Sequence, residues 1–341
     1  MEISTIGLDL AKNVFQVHGI DSGGNVVVRR ALRRKDVLPF FGRLAPCLVG
    51  IEACGSSHHW AREIASCGHD VRLMPPAYVK PYVKRNKNDM ADAEAICEAV
   101  TRPSMRFVPV KTAEQQSVLM LHRARSLLVR QRTMLANAIR GHLAELGIAV
   151  PQGFVSLFRT LDRMLETTPE REPLPPLVCT ALQPLLASLR ELSARIKSLE
   201  VELMKWHRAS ETSRRLETIP GFGFVTATAM TASIPDPSVF RSGRQLAAWL
   251  GLTPRQNSSG GKERLGRITK MGNSYLRMLL VVGATSVLRF ARGDGALKNA
   301  WAKELLAKKP PRVVAVALAN KMARIAWAVM MNKESYRVVG A

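Results

Sequence analysis

The spacing of hydrophobic and polar positions changes character twice along the chain. Up to about residue 110, apolar residues come in short runs: STIGLDLAK, NVFQVHGI, GNVVVRRAL, CLVGIEAC and HDVRLMPP. A Gly-Gly turn at 23–24 separates the second and third runs, and two prolines close the last. Such runs bounded by turn residues read as β-strands. A basic helical stretch follows the third run, and SSHHWAREIASCG reads as a helix with a serine N-cap and a glycine stop. The order is three strands, helix, strand, helix, strand, helix, which predicts an α/β domain with a mixed sheet over 1–110.

From Lys111 the period becomes helical. TAEQQSVLMLHRARSLLVRQRTMLANAIRGHLAELG predicts one long helix stopping at Gly147, followed by a proline-rich, irregular stretch over 150–176. Leu182, Leu185, Leu189, Leu192, Ile196, Leu199 and Leu203 then alternate spacings of three and four. This a/d heptad is the seam of a coiled coil, although an ordinary bundle helix carries the same spacing. The two long helices predict a helical arm over 111–210. The remainder, 211–341, reads as a mainly α-helical domain. In it LETIPGFGFVTATAMTA sets Pro-Gly-Phe-Gly between two helical segments. This resembles a helix-hairpin-helix element, whose bared backbone N–H groups suit phosphate; a tight interhelical turn reads the same way.

Charge changes the picture. Lys and Arg number 50 against 27 Asp and Glu, a formal +23. Such an excess attracts polyanions, nucleic acid first and anionic membrane second. No basic n-region followed by an apolar run opens the chain, and the apolar C-terminal runs are short or interrupted by Lys321 and Arg324. They read as buried helices, so the expectation is a cytoplasmic protein without a membrane. The five cysteines form no C-x-x-C pair. Cys54 and His58 have a metal-compatible spacing that no second pair completes, so zinc is not expected.

Against this basic background four acids stand out. Asp9 sits within the first strand, beside Gly7, Leu8 and Leu10, and Glu52 closes the fourth. Burying an ionised carboxylate in a strand is costly unless something compensates it. If the two strands are neighbours, Asp9 and Glu52 lie side by side. Asp89 and Asp92, at i and i+3, share a helical face. An N-cap and a first-turn acid would account for that pair alone, but not for Asp9 or Glu52. Four clustered carboxylates repel one another unless cations lie between them, and Mg2+ (or Mn2+) accepts such oxygen ligands. Two ions about 4 Å apart would activate a water or hydroxyl against a phosphodiester. The preceding Lys80, Lys84, Arg85 and Lys87 would hold the strand. Together the acids and the α/β order resemble the ribonuclease-H-like fold, and its RuvC-like branch more closely.

GLDLAKNVFQVH, GIEACGSSHHWAREI, VKPYVKRNKNDMADAEAI and AAWLGLTPRQNSSGGKERLGRITKMGNSYLR, in this order, are similar to the one-ten family of insertion-sequence transposases, its Coxiella-type branch included. The resemblance implies a recombinase with a RuvC-like DEDD domain, a coiled-coil arm and a C-terminal transposase domain. The family's four acids fall on Asp9, Glu52, Asp89 and Asp92. It also implies a catalytic serine in the block Asn257-Ser258-Ser259-Gly260-Gly261, with Ser259 favoured over Ser258, and phosphate contacts from Lys262, Arg264, Arg267 and Lys270. A flexible basic loop has the same composition. The resemblance further implies a structured noncoding guide RNA pairing with target and donor DNA, and no helix-turn-helix signature competes for that task. Arg123, Arg125, Arg130, Arg132 and Arg140 form a second candidate surface for polyanions. A homo-oligomer, a dimer that pairs to a tetramer, would supply four active sites for four strand cuts. The alternatives are a metal nuclease resolving branched DNA, with water as nucleophile, and a non-catalytic nucleic-acid scaffold.

Overall fold

The computed structural model describes residues 2–84, 88–165, 174–262, 264–290 and 300–337. The chain separates into two compact units, one of residues 1–116 with 233–239 and one of 117–232 with 240–341.

The first unit carries β1 (Thr5–Asp9), β2 (Val14–Ile20), β3 (Val26–Arg33), α1 (Val37–Phe41), β4 (Leu48–Glu52), α2 (Ser57–Ser66), β5 (Asp70–Met74), α3 (Pro76–Val79) and α4 (Asp89–Val100). The order of elements follows the strand-and-helix pattern of the sequence. The strands form one five-stranded sheet in the order β3-β2-β1-β4-β5. β1 pairs antiparallel with β2 and parallel with β4, and β4 pairs parallel with β5. Ile6, Leu8, Phe15, Val49, Ile51 and Trp60 lie in its core.

Two local readings change. Asp9 is the last residue of β1, not an interior one. Ser56 occupies the N-cap position of α2 but makes no side-chain cap; Ser57 Oγ instead donates to Cys54 O and accepts from Cys54 N. The glycine stop is present, with Gly68 at φ +96°.

The second unit is mostly helical. Its elements are α5 (Ala113–Glu145, begun in the first unit), α6 (Phe154–Leu165), α7 (Pro176–Ala209), α8 (Glu211–Glu217), α9 (Phe224–Ser233), α10 (Gly243–Trp249), β6 (Pro254–Gln256), β7 (Leu265–Ile268), α11 (Ser274–Phe290), α12 (Ala300–Lys308) and α13 (Pro311–Asn332). A reciprocal cap starts α5: Gln115 N donates to Thr112 Oγ1 while Thr112 N donates to Gln115 Oε1. Gly147, at φ +74°, follows its end.

The expected irregular stretch over 150–176 contains a regular helix. In α6, Leu157 and Leu161 are buried and Phe154, Phe158, Met164 and Leu165 pack beside them, a helical stripe against α5 and α7. In α7, Leu182, Leu189, Ile196 and Leu203 are buried within the single chain, whereas Leu185, Leu192 and Leu199 are half-buried. The Pro-Gly-Phe-Gly segment is a tight turn between α8 and α9. A Cβ at Gly221 (φ +87°) would stand 2.9 Å from Gly283 O of α11, so this glycine serves close packing inside the unit. Among the described residues only α13 has the length and composition to cross a membrane, and half of its apolar window is buried in the unit.

Candidate active site

The acidic cluster is built on regular elements. β1 and β4 are parallel neighbours with Leu8 opposite Ile51, so Asp9 and Glu52 end adjacent strands at the same edge. α4 lies across these strands because the strands offer no side chains where it crosses. Gly7 and Gly50 are register partners. A Cβ on Gly7 would stand 2.1 Å from Ala93 O of α4, and one on Gly50 would stand 2.8 Å from Val100 Cβ. Gly7 thus lets the helix approach backbone to backbone, and Gly50 makes room for the Val100 side chain. That approach brings its first turn to the end of β1.

The N-cap of α4 is Asn88, whose Oδ1 accepts from Ala91 N at 2.7 Å. Asp89 is therefore released from capping, and both aspartates of the first turn face Asp9. Ligand oxygens of Asp9, Asp89 and Asp92 lie within 4.8 Å of one another. Glu52 stands outside that trio but adds its charge to the field at Asp9. Burial first, then the charges of Asp92, Asp89 and Glu52, push the Asp9 carboxyl up to about 6. A half-buried carboxylate under that repulsion is an electrostatic deficit which a cation would remove. The donor set, hard carboxylate oxygens alone, suits a hard divalent ion.

Lys80 is exposed close by in sequence, and Lys84 is engaged: its Nζ lies 2.6 Å from Glu94 Oε1 on α4. Arg85 and Lys87 lie outside the described residues.

The serine block is a β-hairpin, which the sequence reading did not anticipate. β6 and β7 pair antiparallel, and Asn257 N donates to Arg264 O. At the tip Lys262 N donates to Ser259 O at 3.1 Å, across Gly260 and Gly261 at φ +57° and +75°. Two consecutive left-handed residues make the tight hairpin turn that Gly-Gly permits. The two serines differ. Ser258 Oγ accepts from Arg264 N at 3.1 Å, within the hairpin. Ser259 is exposed, and among the described residues its Oγ has no hydrogen-bond partner. Lys262, Arg264 and Arg267 are exposed along the same hairpin, and Lys270 follows it at φ +56°.

The arginines of α5 are less available than their number suggests. Arg125 donates through Nε and Nη2 to Glu200 of α7, Arg132 lies 4.2 Å over the Phe154 ring, and Arg140 Nη2 donates to Gly153 O. Arg123 and Arg130 remain exposed.

Comparison with known proteins places the chain in a family. A DEDD-type family model described as "Transposase" matches residues 6–148, which hold all four acids, and points to a divalent metal ion. A second, described as "Transposase IS116/IS110/IS902 family", matches residues 213–304, which hold the hairpin. A "Probable family 20 transposase" of Pseudomonas aeruginosa is 51% identical over 338 residues, 99% of each chain. The "Transposase for insertion sequence element IS1111A" of Coxiella burnetii is 41% identical, covering 98% of this chain and 92% of its own. The transposase for element IS1328 of Yersinia enterocolitica is 40% identical over 96% of both. Two matched domains in order and near full-length likeness leave one assignment: the chain belongs to the IS110/IS116/IS902 family of insertion-sequence transposases.

Proposed function

We propose that this DNA transposase cuts and rejoins strands with a serine nucleophile assisted by carboxylate-bound Mg2+, for which Mn2+ can substitute. The observation supporting this reading is the convergence of Asp9, Asp89 and Asp92 within 4.8 Å, beside Glu52. The first unit is then RuvC-like in kind, with these four acids as ligands. When bound, the metal supplies Lewis-acid activation of the attacking hydroxyl and the scissile phosphate.

Ser259 supplies the hydroxyl. An alcohol is a weak nucleophile unaided, so Ser259 must reach the acidic cluster in the working complex, within one chain or across two. Its Oγ forms a phosphoester as the strand's own hydroxyl leaves. The hydroxyl of an incoming strand reverses the step and frees the serine. Lys80 and Lys84, together with Arg85 and Lys87 of the same basic sequence stretch, steady one part of the strand. Lys262, Arg264, Arg267 and Lys270 steady the part at the hairpin.

In this reading a structured noncoding RNA of the element selects target and donor DNA, with Arg123 and Arg130 on the exposed face of α5 among its contacts. The half-buried Leu185, Leu192 and Leu199 support a coiled-coil contact between copies, giving a dimer that pairs to a tetramer on DNA. The protein works in the cytoplasm with the chromosome.

Suicide DNA substrates on denaturing gels test the nucleophile. Wild type should form a protein–DNA adduct that persists in Ser258→Ala and is lost in Ser259→Ala, with DNA binding retained. Absence of any adduct, with cleavage intact, makes water the nucleophile.

A further inference from the structure

Among the many basic residues of the second unit, Arg277 is spent on the protein itself. It sits half-buried on the first turns of α11, and its Nη1 donates to two backbone carbonyls, Leu250 O and Met271 O, each at 2.9 Å. These carbonyls belong to the two chain segments that enter and leave the β6–β7 hairpin. We infer that Arg277, with Asn320, clamps the root of the serine hairpin and so positions Ser259, and that it is not a phosphate contact. The inference rests on the proposed role of Ser259.

The root is a crossing with no room for side chains. A Cβ on Gly251 (φ +69°) would stand 2.3 Å from Met271 O, and one on Gly272 (φ +71°) would stand 1.9 Å from Trp249 O. Lys270 N donates to Gly251 O at 3.1 Å and Thr269 N to Thr253 O at 2.9 Å. From α13, Asn320 Nδ2 donates to Leu252 O at 3.2 Å. Leu250, Leu252 and Met271 carbonyls are thus held by side chains from two core helices.

α11 is itself anchored. Asn273 Oδ1 accepts from Tyr275 N and Leu276 N at its start. The Tyr275 hydroxyl meets His122 Nδ1 of α5 at 3.1 Å, and His122 Nε2 meets Thr228 Oγ1 of α9 at 3.0 Å. Because Thr228 Oγ1 already donates to Phe224 O, His122 donates from Nε2 and accepts the tyrosine hydroxyl at Nδ1.

Beyond this root, among the described residues, the hairpin is tied by its own strand pairing and by the Ser258 hydroxyl accepting from Arg264 N. β6 is exposed throughout, and in β7 only Ile268, nearest the root, is half-buried. A lever held at its base transmits any looseness there to its tip, where Ser259 sits. Displacement of a reacting group by 1 Å can cost about 10²-fold in rate.

The clamp and a phosphate contact make opposite predictions for Arg277→Gln, measured on the full-length protein. With the clamp, hydrogen exchange of the 253–269 amides accelerates. Strand transfer at saturating DNA falls by roughly tenfold or more, and the salt slope of DNA binding is unchanged. A phosphate contact would instead lower that slope by about one and weaken binding at all DNA sequences. Asn320→Ala, which removes no charge, should reproduce the faster exchange and a smaller loss of rate, and it serves if Arg277→Gln does not fold. Unchanged exchange in both variants, or faster exchange with unimpaired strand transfer, overturns the inference. Strand transfer can be read whichever residue attacks, so failure of the serine assignment shows separately, as an adduct that survives in Ser259→Ala.

Discussion

The acidic cluster and the serine hairpin solve the same problem of placement by opposite means. Asp9, Glu52, Asp89 and Asp92 stand at the ends of two core strands and on a helix packed against them through Gly7 and Gly50. Their positions follow from the sheet, and moving them means deforming its core. Ser259 stands on a short, largely exposed hairpin that, among the described residues, is anchored at its root. The first arrangement concentrates like charge and must be rigid to hold it. The second leaves an alcohol in water, free to meet a partner surface. In the proposed reaction the metal site tolerates little displacement, whereas a serine that attacks and is later released gains from reach.

The largest expected effects come from neutralising the cluster. Asp9→Asn and Asp92→Asn should each reduce strand transfer by roughly 10²-fold or more. Asp9 also links the cluster to stability. Its folded pKa of about 6 lies above its ordinary 3.8, so its favourable contribution is complete below pH 3.8 and is lost as pH rises through about 6. Metal-free wild type should therefore melt lower at pH 7.5 than at pH 5, and Asp9→Asn should flatten that difference. Circular dichroism melts in chelator check it.

Next comes the glycine floor. Gly7→Ala forces a methyl group against Ala93 O, and overpacking of this kind costs about 1–3 kcal/mol. It should lower both the melting temperature and metal affinity. A melting loss with unchanged metal affinity would show that α4 can shift without disturbing the aspartates.

The second unit should respond to acid. Burial, helped by the Arg125 charge, lowers the His122 pKa from its ordinary 6.5 to about 4. A depressed histidine contributes stability that is present above pH 6.5 and lost as pH falls through 6.5 toward 4. His122→Gln should be less stable at pH 7.5 yet lose less between pH 6.5 and pH 4, as read by thermal melts. The smallest effect is expected at the half-buried heptad positions. Leu192→Lys with Leu199→Lys should lower the mass in light scattering with little change in melting temperature. An unchanged mass would confine the α7 seam to one chain.

How much of this was legible beforehand depended on the kind of signal. Asp9 and Glu52 announced themselves because a carboxylate within an apolar strand run is expensive; that Asp9 ends its strand and that the two strands are neighbours came from the fold. Asp89 and Asp92 needed the fold, since only the Asn88 cap and the packing over Gly7 show that neither acid is spent on the helix. α6 was hidden by the prolines around it, although Phe154, Leu157, Phe158, Leu161 and Leu165 keep helical spacing. The hairpin was hidden because its strands are three and four residues long and exposed on both faces, so no alternation marks them. Gly260-Gly261 was the available sign. Arg277 could not be told from a phosphate-binding arginine by sequence, because its partners are carbonyls.

The central claim is that the acids of the first unit form a divalent-metal site. Electron paramagnetic resonance titration of Mn2+ into the full-length protein, without nucleic acid, tests it most directly. The account predicts saturable Mn2+ binding in wild type that Mg2+ displaces and that Asp9→Asn or Asp92→Asn greatly weakens, with the fold intact by circular dichroism. Binding of equal strength in wild type and both folded variants would contradict it.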